Sequence, residues 1–132
     1  MPKFIVKKLI RDKILQRCLD DPVVETDYSV LELEDFKKAL IAKIHEEADE
    51  VWAENTKDDD ILSELADVQE VIDALVKSYG YTKKDVLEAQ ARKIAKNGAF
   101  EERIFVTSFT ITGESEWTDY FRANPDKYEE VK

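Results

Sequence analysis

Two short acidic clusters follow one another in this chain, each inside a segment with the apolar spacing of an amphipathic helix. The first is Glu46-Glu47-Ala48-Asp49-Glu50 and the second is Glu64-Leu65-Ala66-Asp67. In both clusters some carboxylates fall on the helix face that should be buried. A buried carboxylate is costly unless its charge is compensated, and a bound divalent metal ion can compensate it. The two clusters therefore predict a site for a divalent metal ion.

In the second predicted helix, the position of each acid on the helix decides which of them can act together. With about 100° between successive residues, Glu47 lies inside the apolar stripe, Glu50 borders it, and Glu46 lies further out. Asp49 should face solvent. Because residues three apart are neighbours on a helix surface, Glu47 and Glu50 form one pair of carboxylates beside the buried face.

The third predicted helix offers a second pair, since Glu64 lies among its apolar residues and Asp67 lies at their edge. If the two helices form an antiparallel hairpin, the pairs converge and raise one another's pKa values. Mg²⁺, or Mn²⁺ in its place, relieves this repulsion, prefers oxygen ligands and leaves room for a phosphate. Zinc is disfavoured because the chain has one Cys and one His. The predicted metal ligands are Glu47, Glu50, Glu64 and Asp67.

Four helices with short connections are predicted to position these acids, which favours an all-α, four-helix-bundle-like fold. Gly80 and the pair Asn97-Gly98 are expected helix ends, and Thr82 with Asp85 approximates a capping box. Residues 103–112 are β-branched and aromatic, which predicts a short extended segment. Two short helical turns packed by aromatic side chains are predicted in the tail, 116–131. The four helices are predicted at about 9–19, 34–55, 59–79 and 82–97.

Composition and charge limit the classes of partner. The chain has 132 residues and a net charge of −10, which argues against binding to nucleic acid or to an anionic membrane. Residues 1–19 are the exception, with six cations and one anion, so a cationic arm can lie beside the acidic site. The single Cys18 cannot form an internal disulfide, and a reduced thiol favours a cytoplasmic protein.

At this point the residues resemble a known family. The run Glu46-Glu47-x-x-Glu50, thirteen intervening residues and Glu64-x-x-Asp67 resembles the signature of the all-α nucleoside triphosphate pyrophosphohydrolases, which include MazG proteins, dimeric dUTPases and phosphoribosyl-ATP pyrophosphohydrolase. The segment from Lys8 to Ile14 resembles the KLVRDKI opening of a MazG-like subgroup. Lys93 with Gly98-Ala99-Phe100 resembles the end of that family's last helix. The resemblance covers about residues 4–106, with Leu15 and Ala99 as departures.

The resemblance implies a MazG-like domain in residues 1–106 and a C-terminal extension, 107–132, packed on that domain or on a partner subunit. It implies hydrolysis of a nucleoside triphosphate between the α and β phosphates, to a nucleoside monophosphate and pyrophosphate, in house-cleaning of the nucleotide pool. It also implies a homodimer or homotetramer.

Roles within such a site follow from the same resemblance. Glu47 and Glu50 are the foremost catalytic candidates, and Glu46 is a lesser one, as a metal ligand or as the residue that orients the attacking water. Cations of the N-terminus and of the fourth helix are candidates for binding phosphate oxygens, with plain surface charge as the alternative for each. These candidates are Lys8, Arg11, Lys13, Lys93 and Lys96.

The sequence leaves three alternative functions open. The acidic helices are compatible with a non-catalytic protein that binds a basic partner. The enzyme reading is compatible with a specific metabolite such as phosphoribosyl-ATP as substrate. A calcium-binding helix pair is disfavoured, because the run Asp58-Asp59-Asp60 lacks the glycine and the spacing of a calcium loop.

Overall fold

A computed structural model describes residues 1–53 and 58–132, and those residues form helices and irregular segments without a β-strand. This confirms the all-α prediction. None of the helices described is long and apolar enough to cross a membrane. The described residues form the helices α1 (Asp12–Asp20), α2 (Leu33–Ala53), α3 (Asp58–Ser78), α4 (Lys83–Asn97) and α5 (Glu116–Ala123).

Helices α2 and α3 pack side by side as an antiparallel hairpin. The start of α2 meets the end of α3, where the Lys37 ammonium lies 4.4 Å from the centre of the Tyr79 ring. Among the residues whose burial the structure describes, Leu40 of α2 and Val71 of α3 are the buried hydrophobic ones, with 4% and 9% of their surface exposed. The hairpin is therefore the frame on which the acidic clusters are placed.

The ends of α3 and α4 follow the local rules that the sequence predicts. Gly80 has a φ of 81°, the left-handed conformation that glycine adopts without steric cost. The amide of Tyr81 donates to the Val76 carbonyl at 3.1 Å and the amide of Gly80 to the Lys77 carbonyl at 2.9 Å, which is a Schellman motif. At the start of α4, the Thr82 amide donates to Asp85 Oδ2 at 2.8 Å and the Asp85 amide to Thr82 Oγ1 at 3.2 Å. The predicted capping box is thus confirmed.

Helix α1 begins later than its apolar pattern predicts. Lys7 has a positive φ of 49°, and Arg11 is still extended, with φ −69° and ψ 148°. The helix then starts at Asp12, whose carboxylate is favourable in a first turn. The residues between Lys7 and Arg11 are therefore available to cross the α2–α3 hairpin instead of joining a helix.

The chain divides into two compact units, Met1–Lys96 and Asn97–Lys132. The predicted division at residues 106 and 107 falls inside the second unit, and the functional assignment of the two parts stays a prediction. Within the first unit, α2 and α3 are the pair of described helices that pack side by side. The MazG-like four-helix bundle therefore also stays a prediction.

The second unit is built around aromatic side chains. Ser115 accepts a hydrogen bond from the Trp117 amide at 3.2 Å and so caps α5. After α5 the described chain makes one further hydrogen-bonded turn, in which the amides of Lys127 and Tyr128 both donate to the Asn124 carbonyl at 3.1 Å. Rings 4.8–5.9 Å apart form the aromatic cluster: Phe109, Trp117, Tyr120, Phe121 and Tyr128.

Candidate metal and phosphate site

Three carboxylates from the two acidic clusters meet across the hairpin. Glu47 comes from α2, and Glu64 and Asp67 come from α3, one helical turn apart. One carboxylate oxygen from each lies within 4.8 Å of the other two, and all three residues are half-buried. The antiparallel arrangement thus brings together three of the four predicted ligands, although the two clusters are far apart in the sequence. We call these three residues the acid triad.

Glu50, the fourth predicted ligand, lies outside the acid triad and is exposed. It follows Glu47 by three residues, so it is rotated by about 60° around α2. Because α3 covers only a narrow stripe of α2, a residue on the border of that stripe faces solvent. The sequence places Glu50 on this border, but the width of the covered stripe depends on the neighbouring helix.

Cations from the same unit already face these acids. Arg11 Nη2 lies 2.6 Å from Asp67 Oδ1. Lys8 Nζ lies 3.3 Å from Glu46 Oε1, so the N-terminal arm is joined to both helices of the hairpin. The predicted proximity of the cationic N-terminus to the acidic clusters is present for these two residues.

Lys43 is a cation of this site that sequence reasoning missed. Its Nζ lies 3.2 Å from Glu46 Oε2 and 3.5 Å from Glu47 Oε1. Lys43 precedes these acids by three and four residues, the spacing at which opposite charges pair on a helix surface. That spacing was the signal available in the sequence.

The ionisation of Glu46 reflects this surrounding charge. Burial raises its pKa, but hydrogen bonds and charge interactions with Lys43 and Lys8 lower it by more, so the pKa of Glu46 lies below its ordinary value of 4.5. Glu46 is therefore ionised at neutral pH and is held by two ammonium groups. This arrangement favours a role for Glu46 in holding Lys8 and Lys43 in place over direct contact with a metal ion.

A cavity of about 570 Å³ opens beside the acid triad, between α1 and the hairpin. Glu47 and Asp67 lie on its wall, and Phe36, Leu40 and Val71 give it an apolar floor. It combines acids, cations and apolar surface, as small-molecule sites do. Its cationic lining residues are Arg11, Lys13, Arg17 and Lys43.

The remaining predicted phosphate ligands are placed differently. Lys13 lines the cavity, whereas Lys93 and Lys96 are exposed on α4 and do not line it. Within one chain, the structure thus brings Lys8, Arg11 and Lys13 towards the acidic clusters and leaves the two cations of α4 apart.

Comparison of the chain with protein-family models, with curated proteins and with solved structures finds no match. The resemblance to the all-α pyrophosphohydrolases therefore stays a prediction, carried by the motif residues themselves.

Proposed function

We propose that this chain is a Mg²⁺-dependent hydrolase that splits a nucleoside triphosphate between the α and β phosphates. The single observation that carries the proposal is the convergence of the Glu47, Glu64 and Asp67 carboxylates beside a cavity that is lined by both cations and acids. In a metal-bound triphosphate, the carboxylates would bind the metal ion, and the guanidinium and ammonium groups would bind the phosphate oxygens. Water is added across the phosphoanhydride, and a nucleoside monophosphate and pyrophosphate leave.

The donor set of the acid triad fits Mg²⁺ or Mn²⁺. All three donors are carboxylate oxygens, and their spread of 4.8 Å needs only small side-chain adjustments to reach an octahedral ion with oxygens at about 2.1 Å. Two or three protein ligands leave other positions for water and phosphate. When bound there, the ion supplies positive charge that neutralises the phosphates and the charge developing in the transition state.

Other residues of the site are assigned phosphate binding, activation of water and positioning of the N-terminal arm. Arg11 and Lys13 bind phosphate oxygens, and Lys8 acts with them through the arm that they share. Glu50 is exposed beside the triad on α2, where it is free to meet water and act as the general base. Glu46, held by Lys8 and Lys43, positions the arm against α2.

A free nucleotide suits this site better than a nucleic-acid polymer. The net charge of −10 repels a long polyanion, whereas a bound metal ion cancels part of the smaller charge of a single triphosphate. Removal of unwanted nucleotides from the pool is the role that follows. Phosphoribosyl-ATP, which carries the same type of phosphate linkage, is the alternative substrate.

The chain acts as a homodimer or homotetramer in this proposal. Large apolar side chains are exposed on the helices of the first unit. A single exposed apolar residue is ordinary, but a contiguous group of them marks an interface. A second copy is also the simplest way to bring the α4 cations Lys93 and Lys96 to an acid triad. The exposed apolar residues include Ile41, Trp52, Leu62, Leu65, Leu87 and Ile94.

Pyrophosphate release from a panel of ribo- and deoxyribonucleoside triphosphates, with phosphoribosyl-ATP included, tests the proposal. We expect turnover of at least one compound with Mg²⁺ and none with EDTA. Asp67→Asn should lower kcat at least 100-fold and weaken Mg²⁺ binding in calorimetry. Asp49→Asn is the matched control, because it removes the same charge from an exposed position of α2.

Two results would overturn the enzyme assignment. One is the absence of turnover on every member of the panel. The other is turnover that is equal in the wild type and in the Asp67→Asn and Glu50→Gln variants, which would indicate a contaminating hydrolase. If Mg²⁺ binds to the wild type without turnover, the acid triad is a metal site in a binding protein.

A further inference from the structure

Helix α1 forms one wall of the cavity beside the acid triad, but it is not packed tightly onto the hairpin. No residue of α1 is buried, and among the described helices α2 and α3 are the pair that packs side by side. Ile10 and Ile14 line the cavity and are still 44% and 39% exposed. Apolar burial, which holds most helices in place, is therefore weak between α1 and the hairpin.

Two ion pairs join the chain next to α1 to the hairpin. Lys8 Nζ lies 3.3 Å from Glu46 Oε1 on α2, and Arg11 Nη2 lies 2.6 Å from Asp67 Oδ1 on α3. The side chains of Lys8 and Arg11 are 54% and 58% exposed. Because ion pairs of such exposed groups are weak, each cation can readily exchange its carboxylate for another partner.

Irregular chain lies on both sides of this segment. The chain bends at Lys8, directly after Lys7, whose φ of 49° lies in the left-handed region that residues other than glycine adopt at a cost. After α1, residues 21–32 contain no helix or strand and lead to α2. Residues 8–20, which we call the lid, can therefore move relative to the hairpin through rotations at these two ends.

Arg11 ties the lid to a carboxylate that a bound metal ion would use. Asp67 Oδ1, which accepts the hydrogen bond from Arg11, belongs to the acid triad. A guanidinium group and a divalent cation repel each other when they lie against the same carboxylate. A metal ion at the acid triad therefore removes the attachment of the lid to α3.

We propose that Arg11 holds the lid shut in the metal-free protein, and that the lid opens when Asp67 exchanges Arg11 for a metal ion. The inference rests on the proposed function, because it takes the acid triad as the metal site. With a metal-bound triphosphate in the cavity, three cations of the lid that line it, Arg11, Lys13 and Arg17, meet phosphate oxygens. The lid then closes again, and it covers the phosphates during hydrolysis as other active-site lids do.

The distance between two spin labels measures the position of the lid. In a Cys18→Ser background, Gln16→Cys on the lid and Ala42→Cys on α2, both at exposed positions, carry nitroxides for pulsed electron paramagnetic resonance. Arg11→Ala should raise the ratio of long to short distances in the metal-free protein by about 1.4- to 5-fold, the effect of losing one exposed ion pair. Mg²⁺ alone should shift the wild type in the same direction. Mg²⁺ with a non-hydrolysable triphosphate should restore the short distance.

Two controls separate the lid from the metal site. Lys38→Ala removes an equal charge from an exposed position of α2 and should leave the distances unchanged. About 0.5 M NaCl screens exposed ion pairs, so it should lengthen the distances in the metal-free wild type and not in Arg11→Ala. This comparison needs neither metal nor turnover.

Each failure has a distinct meaning. Equal distances in the metal-free wild type and Arg11→Ala, at low and at high salt, would overturn the attachment of the lid by Arg11. Mg²⁺ that binds in calorimetry without changing the distances would overturn the opening of the lid by metal. A wild type that binds no Mg²⁺ would overturn the proposed function and the metal-driven opening together, and the comparison with Arg11→Ala would still decide how the lid is held.

Discussion

At the scale of residues, the acids of the site are already balanced by cations of the same chain. Arg11 meets Asp67 at 2.6 Å and Lys43 meets both Glu46 and Glu47. The carboxylates can therefore lie close together in the absence of a metal ion, because the repulsion between them is compensated locally. A metal ion that binds the triad has to replace part of this compensation, and the cations released from it become available to phosphate.

The pH dependence of stability should report the pairing of Glu46 with Lys8 and Lys43. The folded-state pKa of Glu46 lies below 4.5, so its ion pairs stabilise the fold above the unfolded pKa, and this contribution is lost as the pH falls through the folded pKa. We expect the wild type to exceed Glu46→Gln in free energy of unfolding by about 0.2–1 kcal/mol at pH 7. The difference should shrink as the pH falls below 4.5 and vanish below the folded-state pKa of Glu46.

Urea unfolding of both proteins at several pH values measures this difference. Asp49→Asn provides the comparison for the loss of one negative charge from α2. A gap between wild type and Glu46→Gln that stays constant from neutral to acid pH would show that the ion pairs of Glu46 do not stabilise the fold.

At the scale of elements, the arm that enters α1 links the two helices of the hairpin through Lys8 and Arg11. Arg11 is 58% exposed, so its ion pair should contribute little to stability. Its larger effect should be on ligands, because it competes with a metal ion for Asp67 and attracts phosphate. The two effects on ligands have opposite signs.

Arg11→Ala should therefore bind Mg²⁺ more tightly and a non-hydrolysable triphosphate more weakly, each by about 3- to 10-fold, while unfolding changes by less than about 1 kcal/mol. Isothermal titration calorimetry with each ligand measures both changes. Lys38→Ala is the control, since it removes an equal charge from an exposed position of α2. A parallel change in the two affinities would contradict the competition between Arg11 and metal.

The end of α3 allows a separate test of helix stability. Gly80 has a φ of 81°, and a Cβ added there would meet no atom within 4 Å. Gly80→Ala should thus cost about 1 kcal/mol of stability through backbone strain alone. Thermal unfolding measures it, with Gly113→Ala as the control, because Gly113 has an equally open Cβ position without a positive φ. Equal midpoints for the two variants would contradict this assignment of strain.

At the scale of the whole molecule, the features that depend on local sequence could be predicted, and those that depend on packing between distant residues could not. The capping box at Thr82, the glycine helix ends and the convergence of Glu47 with Glu64 and Asp67 follow from local periodicity together with one antiparallel hairpin. The exposure of Glu50 depends on how much of α2 is covered by α3.

The division into two units makes the location of the metal site testable. The acid triad and the arm cations all belong to the unit Met1–Lys96, so removal of residues 100–132, which retains Gly98 as the end of α4, should preserve Mg²⁺ binding. By mass action, Mg²⁺ at 100 times its Kd should stabilise both forms by about 2.7 kcal/mol. Thermal unfolding with and without Mg²⁺ measures this, and Asp67→Asn in each form is the control. A truncated chain that stays helical but gains no stability from Mg²⁺ would place part of the metal site in the second unit.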